Sequence, residues 1–324
     1  MNTFNAVVRV VMVGTLMAIA GAVAAQQTYP SKPIRIITPY AAGGSTSVLA
    51  RLVGQKLTEN WGQQVLVDSR GGGDTIIGAD VAAKSPPDGY TILLIGTTLV
   101  INASLYSTLP YDTFKDFAPI ATLTINEHFL VVHPSVPANN LQELIALAKS
   151  KPGQLNYAST GTSTHLSSEL FNIVAGTKIQ HIPYKGGGQS ITDVIAGLVE
   201  MTFAVPTNVI GHVKNGRLKG IAVSGKKRLS ALPQVPTFTE AGLPRFDISS
   251  WYGLLAPAGT PKEVIDKLAA EVARILALPD FKEKLDGQGF APFVSTSGQF
   301  AALMKADSAK FARIIKTANI KMAN

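Results

Sequence analysis

Short segments rich in glycine and hydroxyl residues recur at the ends of apolar runs. The first is Pro39-Tyr40-Ala41-Ala42-Gly43-Gly44-Ser45-Thr46-Ser47, between the run Ile34 to Thr38 and a helix-like stretch from Val48 to Lys56. Adjacent glycines let the backbone turn tightly and approach a ligand, and Ser45, Thr46 and Ser47 are good N-cap residues. The unpaired N–H groups of a first helical turn carry a partial positive charge, which suits an anion. Alone, the stretch reads equally well as an ordinary strand-to-helix turn. The pattern returns at Asp68 to Thr75, at Ser159-Thr160-Gly161-Thr162-Ser163-Thr164, where hydroxyls replace glycines, and at Tyr184-Lys185-Gly186-Gly187-Gly188-Gln189-Ser190.

Other chemistries fit less well. No Gly-x-Ser-x-Gly elbow occurs, so a hydrolase serine lacks its usual turn. His165 stands near Ser159 and Thr162, yet reads better as a helix residue at a domain edge that packs or touches ligand. His128, His133, His165, His181 and His212 show no paired metal spacing, and no cysteine can assist. No metal site is expected. Gly220 to Lys226 imitates a phosphate loop, but Lys227 replaces the magnesium-binding Ser or Thr. Gly71-x-Gly73 lacks the third glycine of a dinucleotide fingerprint. The expectation is a binding protein without cofactor rather than an enzyme.

The elements that would carry these turns alternate. Helices with buried Val48, Leu49, Leu52, Val53 and Leu57, and then from Ile76 to Lys84, follow strands ending at Thr38 and Val67. Pro86-Pro87-Asp88-Gly89 stops the second helix, and Tyr90 to Ile95 reads as a buried strand leading to Gly96-Thr97-Thr98. Such alternation predicts parallel α/β sheets, with a ligand beyond the carboxyl ends of the strands. From Phe117 to His133 the chain is extended and apolar, interrupted at Asn126-Glu127-His128, and then the pattern restarts. A first crossing between domains is placed there, and a return around Phe246 to Leu255. Thr260-Pro261 starts a further helix, and Ser297 begins the last one, so the C-terminal part completes the first domain.

Length and composition agree with two domains. The chain has 324 residues, no cysteine and a formal net charge of +8. Its start, with Arg9, an uncharged run from Val10 to Ala20 and Ala22-Val23-Ala24-Ala25, reads as a cleaved secretory signal peptide, residues 1–25. No later stretch is apolar enough to span a membrane, so the mature protein is expected to be soluble in the periplasm or outside the cell. The only basic cluster, Lys226-Lys227-Arg228, has no interleaved aromatics, so no nucleic-acid partner is expected.

Longer motifs add a family resemblance. Tyr29-Pro-Ser-Lys-Pro-Ile-Arg-Ile-Ile-Thr-Pro-Tyr-Ala-Ala-Gly-Gly44, Pro87-Asp-Gly-Tyr90, His181-Ile-Pro-Tyr-Lys-Gly186 and Ser250-Trp-Tyr-Gly-Leu-Leu-Ala-Pro-Ala-Gly-Thr-Pro261 closely resemble the Bug-type periplasmic solute receptors of tripartite tricarboxylate transporters. The resemblance covers essentially the whole mature chain. It implies an α/β, two-domain Venus-flytrap periplasmic binding protein, type II-like, with mixed sheets flanked by helices and the ligand in the interdomain cleft. Residues 26–126 with 250–324 would form one domain and 127–249 the other.

In that family a carboxylate is held by the loops matching Tyr40 to Ser47 and Tyr184 to Gln189. That assigns Tyr40, Ala42, Gly43, Gly44, Ser45, Ser47, Tyr184, Lys185, Gly186, Gly187 and Gln189 to the site. Hydroxyls of Ser159 and Thr162 would join them, with His165 at the edge and Tyr40, Phe203 and Val205 covering the ligand's apolar body. Many relatives carry Asp at the position of Ser47, facing an ammonium group. Ser47 and Ala204 remove acidic neighbours, which favours a second carboxylate over a zwitterion. After Arg70, Gly71-Gly72-Gly73-Asp74-Thr75 departs from the family's usual Pro-Gly-Ala-Gly-Gly.

The function implied is capture of a small mono- or dicarboxylate, aliphatic or aromatic, by a monomeric receptor that delivers it to membrane transporter subunits. Signalling through a sensor kinase's outer domain, or a secreted serine hydrolase using His165, are the alternatives.

Overall fold

The computed structural model describes residues 29–320 except 41, 43, 160, 185, 186 and 289, with the backbone alone at 45 and 187. The expected signal peptide lies outside the described residues.

The first sheet has six strands. Ile34–Thr38 (β1), Val65–Ser69 (β2) and Thr91–Gly96 (β3) pair in parallel in the order β3-β1-β2. Helix α1, Ser45–Trp61, joins β1 to β2, and α2, Ile76–Ala83, joins β2 to β3. This is the βαβ arrangement that the alternating pattern predicts. After β3 comes α3, Thr98–Leu105, which buries Leu99, Val100, Ile101, Asn102 and Leu105. It was not legible as a helix, because an element covered on several sides has no polar stripe to reveal its period.

Strand β4, Phe117–Asn126, leaves this sheet and runs into β5, Phe129–Val132, of the second. Helix α4, Leu141–Ser150, is capped by Asn140, whose side chain accepts the Glu143 N–H. Then follow β6 (Asn156–Ser159), α5 (Thr162–Ala175), β7 (Gln180–Pro183), α6 (Gly187–Ile195), β8 (Met201–Ala204), α7 (Pro206–Lys214) and β9 (Lys219–Val223). The five strands are ordered β7-β6-β8-β5-β9, with β6 parallel to β7 and β8, and β5 antiparallel to β8 and β9.

The chain returns as β10, Ser250–Pro257, which slots antiparallel between β3 and β4. Helices α8 (Lys262–Ala277) and α9 (Pro279–Gly287), edge strand β11 (Ala291–Pro292) and α10 (Ser297–Thr317) complete the first sheet's side. Its order is β11-β4-β10-β3-β1-β2. Both sheets are therefore mixed and flanked by helices, as expected.

One face of α10 carries Phe300, Met304, Phe311, Ile314 and Ile315 into a core that reaches from Leu99 and Trp251 to Phe171 and Phe203. That helix touches α3 and β4 on one side and α5 on the other. It braces the seam between the two sheets. Its start is a capping box, in which Thr296 and Gln299 satisfy each other's backbone N–H groups. Glycine permits close approaches at two points here. A Cβ on Gly253 of β10 would stand 2.3 Å from Phe300 Cζ, and one on Gly78 of α2 would stand 2.7 Å from the Arg70 carbonyl oxygen and from Pro39 Cβ.

Candidate functional site

A cavity of about 660 Å³ opens where the carboxyl ends of parallel strands from both sheets meet. That volume suits a small organic molecule, for which sites of about 300–1,000 Å³ are usual. From the first sheet it is lined by Pro39 and Tyr40 after β1, by Gly71, Gly72, Asp74 and Thr75 after β2, and by Gly96, Thr97 and Thr98 after β3. The second sheet contributes Gly161 to Thr164 after β6 and Val205 after β8. His128, on the crossing from β4 to β5, and Ser250 to Tyr252, at the start of β10, complete the lining.

Three helices begin at this lining: α2 behind Thr75, α3 behind Thr97, and α5 behind Gly161. Each offers backbone N–H groups that no intrahelical carbonyl satisfies, with the positive end of its dipole behind them. Two hydroxyls in the lining, Thr75 Oγ1 and Ser163 Oγ, are buried without a hydrogen-bond partner among the described residues. No lysine or arginine belongs to the described lining. Asp74 is its only carboxylate. Within the described lining, an anion would rest on peptide dipoles and hydroxyls rather than on a salt bridge.

The walls are held by tyrosines. The Tyr40 hydroxyl accepts the Gly96 N–H at 3.0 Å, and the ring stands edge-on to Tyr252. Burial pushes the Tyr40 and Tyr252 phenols up from their ordinary pKa, so both stay neutral hydrogen-bonding groups. Thr46, in the first turn of α1, hydrogen-bonds Tyr252. Trp251 donates its indole N–H to Asp307 Oδ2 of α10 at 2.9 Å and packs edge-on against Phe300.

His128 lies at the floor. Its Nδ1 is hydrogen-bonded to Ser167 Oγ, and its Nε2 lies 3.4 Å from Ser250 Oγ. Ser167 Oγ already donates to the Ser163 carbonyl, so the Nδ1–H is the donor and Nε2 is left as the acceptor. Burial pushes the imidazole down to about 4, which keeps it neutral at physiological pH.

The expected site residues divide. Tyr40, Thr162 and Val205 line the cavity. Gly44 caps α1 and Ala42 lies exposed in the turn before it, while Ser45 belongs to the first turn of α1. Ser47, expected to face the ligand, is wholly buried and hydrogen-bonded to Ser69 Oγ at 3.2 Å, outside the described lining. It serves the junction of β1, β2 and α1. Phe203, expected over the ligand, is also buried elsewhere, packed among Phe171, Phe238 and Phe246 on the α5 side of its sheet.

Ser159 Oγ is paired with His181 Nε2 at 2.6 Å, and His181 stacks on His165 at 3.9 Å between ring centroids. His165 Nδ1 in turn bonds the Tyr157 hydroxyl, which donates to Glu169. Burial lowers the pKa of both histidines, His181 to about 4. Ser159 is thus paired with His181 and Thr162 with Asp74, while the His165 Nδ1 is bonded to Tyr157. Tyr184 and Gln189 both donate to Asp193, at 2.7 and 2.9 Å, and so tie down the first turns of α6. Neither is in the described lining; Gly43, Lys185 and Gly186 lie outside the described residues, and Gly187 opens α6.

Sequence reasoning missed Asp74, Thr75, Thr97, Thr98, His128, Ser163, Thr164 and the Ser250 to Tyr252 start of β10. The first four stand at strand ends that the βα pattern marks. His128 and Ser250 lie on the two crossings, where only the tertiary fold brings them together.

Two α/β sheets, linked by crossing strands and meeting at a cavity beyond their strand ends, define the class of bilobed periplasmic binding proteins. The chain belongs to the TctC family, the tripartite tricarboxylate transporter family receptors, whose model matches residues 49–320. BugT of Bordetella pertussis is 33% identical over 317 residues, spanning 96% of this chain and 97% of its own. An R. palustris protein solved with adipate is 31% identical with a TM-score of 0.80, covering 90% of this chain and 99% of its own. MatC of Rhodopseudomonas palustris, solved with bound malate, is 27% identical with a TM-score of 0.77, covering 89% of this chain and 100% of its own. The family consists of solute receptors. Among the described residues, no helix is long and apolar enough to cross a membrane.

Proposed function

We propose that this chain is an extracytoplasmic receptor that binds a small carboxylate in the cavity between its sheets and delivers it to a tripartite tricarboxylate-type transporter. The observation that carries the reading is the meeting of three helix N-termini and two hydroxyls without a partner among the described residues, at one cavity whose described lining has no lysine or arginine. Such a site replaces a carboxylate's water shell with N–H and O–H donors, each charge-assisted bond contributing about 1.5–3 kcal/mol. A few of them give micromolar affinity. The adipate- and malate-bound relatives support a carboxylate. Tyr40, Thr162 and Val205 touch the ligand in this reading, with Thr75, Thr97, Thr98, Ser163 and Thr164.

Residues 26–126 with 250–324, and 127–249, act as the two lobes. Because lining comes from both sheets, a ligand that touches both favours the closed form by its differential affinity. Residues 1–25 direct export, and the receptor works as a periplasmic monomer without catalytic turnover.

Calorimetry of the purified protein against aliphatic and aromatic carboxylates tests the reading. Micromolar binding of at least one acid, lost in its uncharged amide, is expected. An amide that binds as tightly as the acid would overturn it. Delivery is tested by capturing the transporter's membrane subunits on the ligand-loaded receptor and not on the empty one.

A further inference from the structure

The segment from Gly72 to Thr75 has four successive residues at positive φ, of 130°, 54°, 48° and 76°. For the glycines this is routine. For Thr75, which is β-branched, it is a strained conformation that persists only where surrounding structure enforces it. The strain brings Asp74 and Thr75 to the lining as neighbours. Thr75 is 5% exposed, and its Oγ1 has no hydrogen-bond partner among the described residues. Asp74 Oδ2 accepts the Thr162 hydroxyl at 2.6 Å, a bond from a loop of the first sheet to a helix of the second. Asn102 Nδ2 holds the Asp74 carbonyl at 2.8 Å from below.

The chemistry of this corner is asymmetric. Thr75 and the start of α2 offer donors for a carboxylate, while the adjacent Asp74 offers an acceptor and a negative charge. A ligand that fits both has a carboxylate and a hydrogen-bond donor on neighbouring carbons. A second carboxylate at the same place meets Asp74 as a like charge. Loss of acidic neighbours at Ser47 and Ala204 had favoured a ligand with a second carboxylate over a zwitterion. The loop after β2 supplies an acidic neighbour from another direction.

We propose that Asp74 makes the cavity selective for 2-hydroxy- or 2-amino-carboxylates over plain carboxylates of the same skeleton. The proposal rests on the carboxylate reading above and names the substrate class of that site. Hydroxyl and ammonium share the donor chemistry, and the ammonium adds a charge.

The test is calorimetry of the whole mature protein with matched sets: succinate, malate and aspartate, and 3-phenylpropionate, 3-phenyllactate and phenylalanine. In the wild type, the hydroxy or amino member of at least one set binds tenfold or more tighter than the plain acid, about 1.4 kcal/mol. Asp74→Asn tolerates the left-handed backbone and still accepts from Thr162, so it removes the charge without the fold. It is expected to shrink that preference to threefold or less, with the larger loss in the amino member if ammonium is the natural group. Equal binding within every set, or a preference unchanged in Asp74→Asn, overturns this proposal and leaves the carboxylate reading standing. Plain acids and their uncharged amides binding alike overturns both.

Discussion

Replacing His128 by Gln should flatten the acid side of the stability curve. The imidazole is buried between Ser167 and Ser250 at the floor of the cavity, and its folded pKa is about 4 against an ordinary 6.5. Between those values the unfolded chain binds a proton that the folded chain refuses. Stability is therefore lost as pH falls from 6.5 towards 4, and regained as it rises. From pH 7 to pH 5, this one group costs roughly 2 kcal/mol of unfolding free energy. His165 and His181, also lowered, add to the slope in both proteins. Gln can donate to Ser167 and accept from Ser250 but does not titrate. Urea unfolding of wild type and His128→Gln at pH 7 and pH 5 measures the difference. The variant should lose roughly 2 kcal/mol less than wild type over that interval. If the two losses agree within about 0.5 kcal/mol, the buried neutral histidine is not the acid-sensitive element.

Three further outcomes test the packing around the site. Gly78→Ala drives a Cβ to 2.7 Å from the Arg70 carbonyl and Pro39, so stability should drop by about 1–3 kcal/mol in thermal unfolding. Carboxylate affinity should weaken with it, because Pro39 lines the cavity. Phe203→Ala hollows the aromatic cluster and should lower stability by about 3–5 kcal/mol, while the folded fraction keeps its ligand affinity. A selective loss of affinity would place Phe203 at the ligand after all. Asp307→Ala strands the buried Trp251 N–H and should cost about 1–3 kcal/mol, with a change in tryptophan fluorescence before any unfolding.

Much of the architecture was written locally. A glycine or hydroxyl run after a strand and before a helix-period stretch needs no distant partner to be read, and β1, β2, β3, β6 and β7 all end in such turns. The alternation of strand and helix fixed the parallel pairs, and the two irregular segments near Asn126 and Phe246 marked where the chain passes between sheets. The family motifs were legible for the same reason, since they sit at those turns and crossings.

Which turns share a cavity was not local. The insertion of β10 between β3 and β4 sets Tyr252 opposite Gly96, and so brings Ser250 and Trp251 beside His128. No periodicity encodes that pairing, because it joins residues more than a hundred positions apart. Ser47 and Phe203 were assigned to the ligand by position in a motif or strand, yet Ser47 is bonded to Ser69 of β2 and Phe203 packs on Phe171 of α5, so both side chains are buried in protein. Asp74 shows the converse: its loop was visibly irregular, but only the left-handed backbone and the Thr162 bond reveal where its carboxylate lies. The sequence by itself determined the strand-turn-helix units and the family, because backbone conformation and hydrophobic period are short-range properties. The tertiary structure alone decided which polar groups face one another across the sheets, because that depends on strand order and on the packing of α5 and α10 between them.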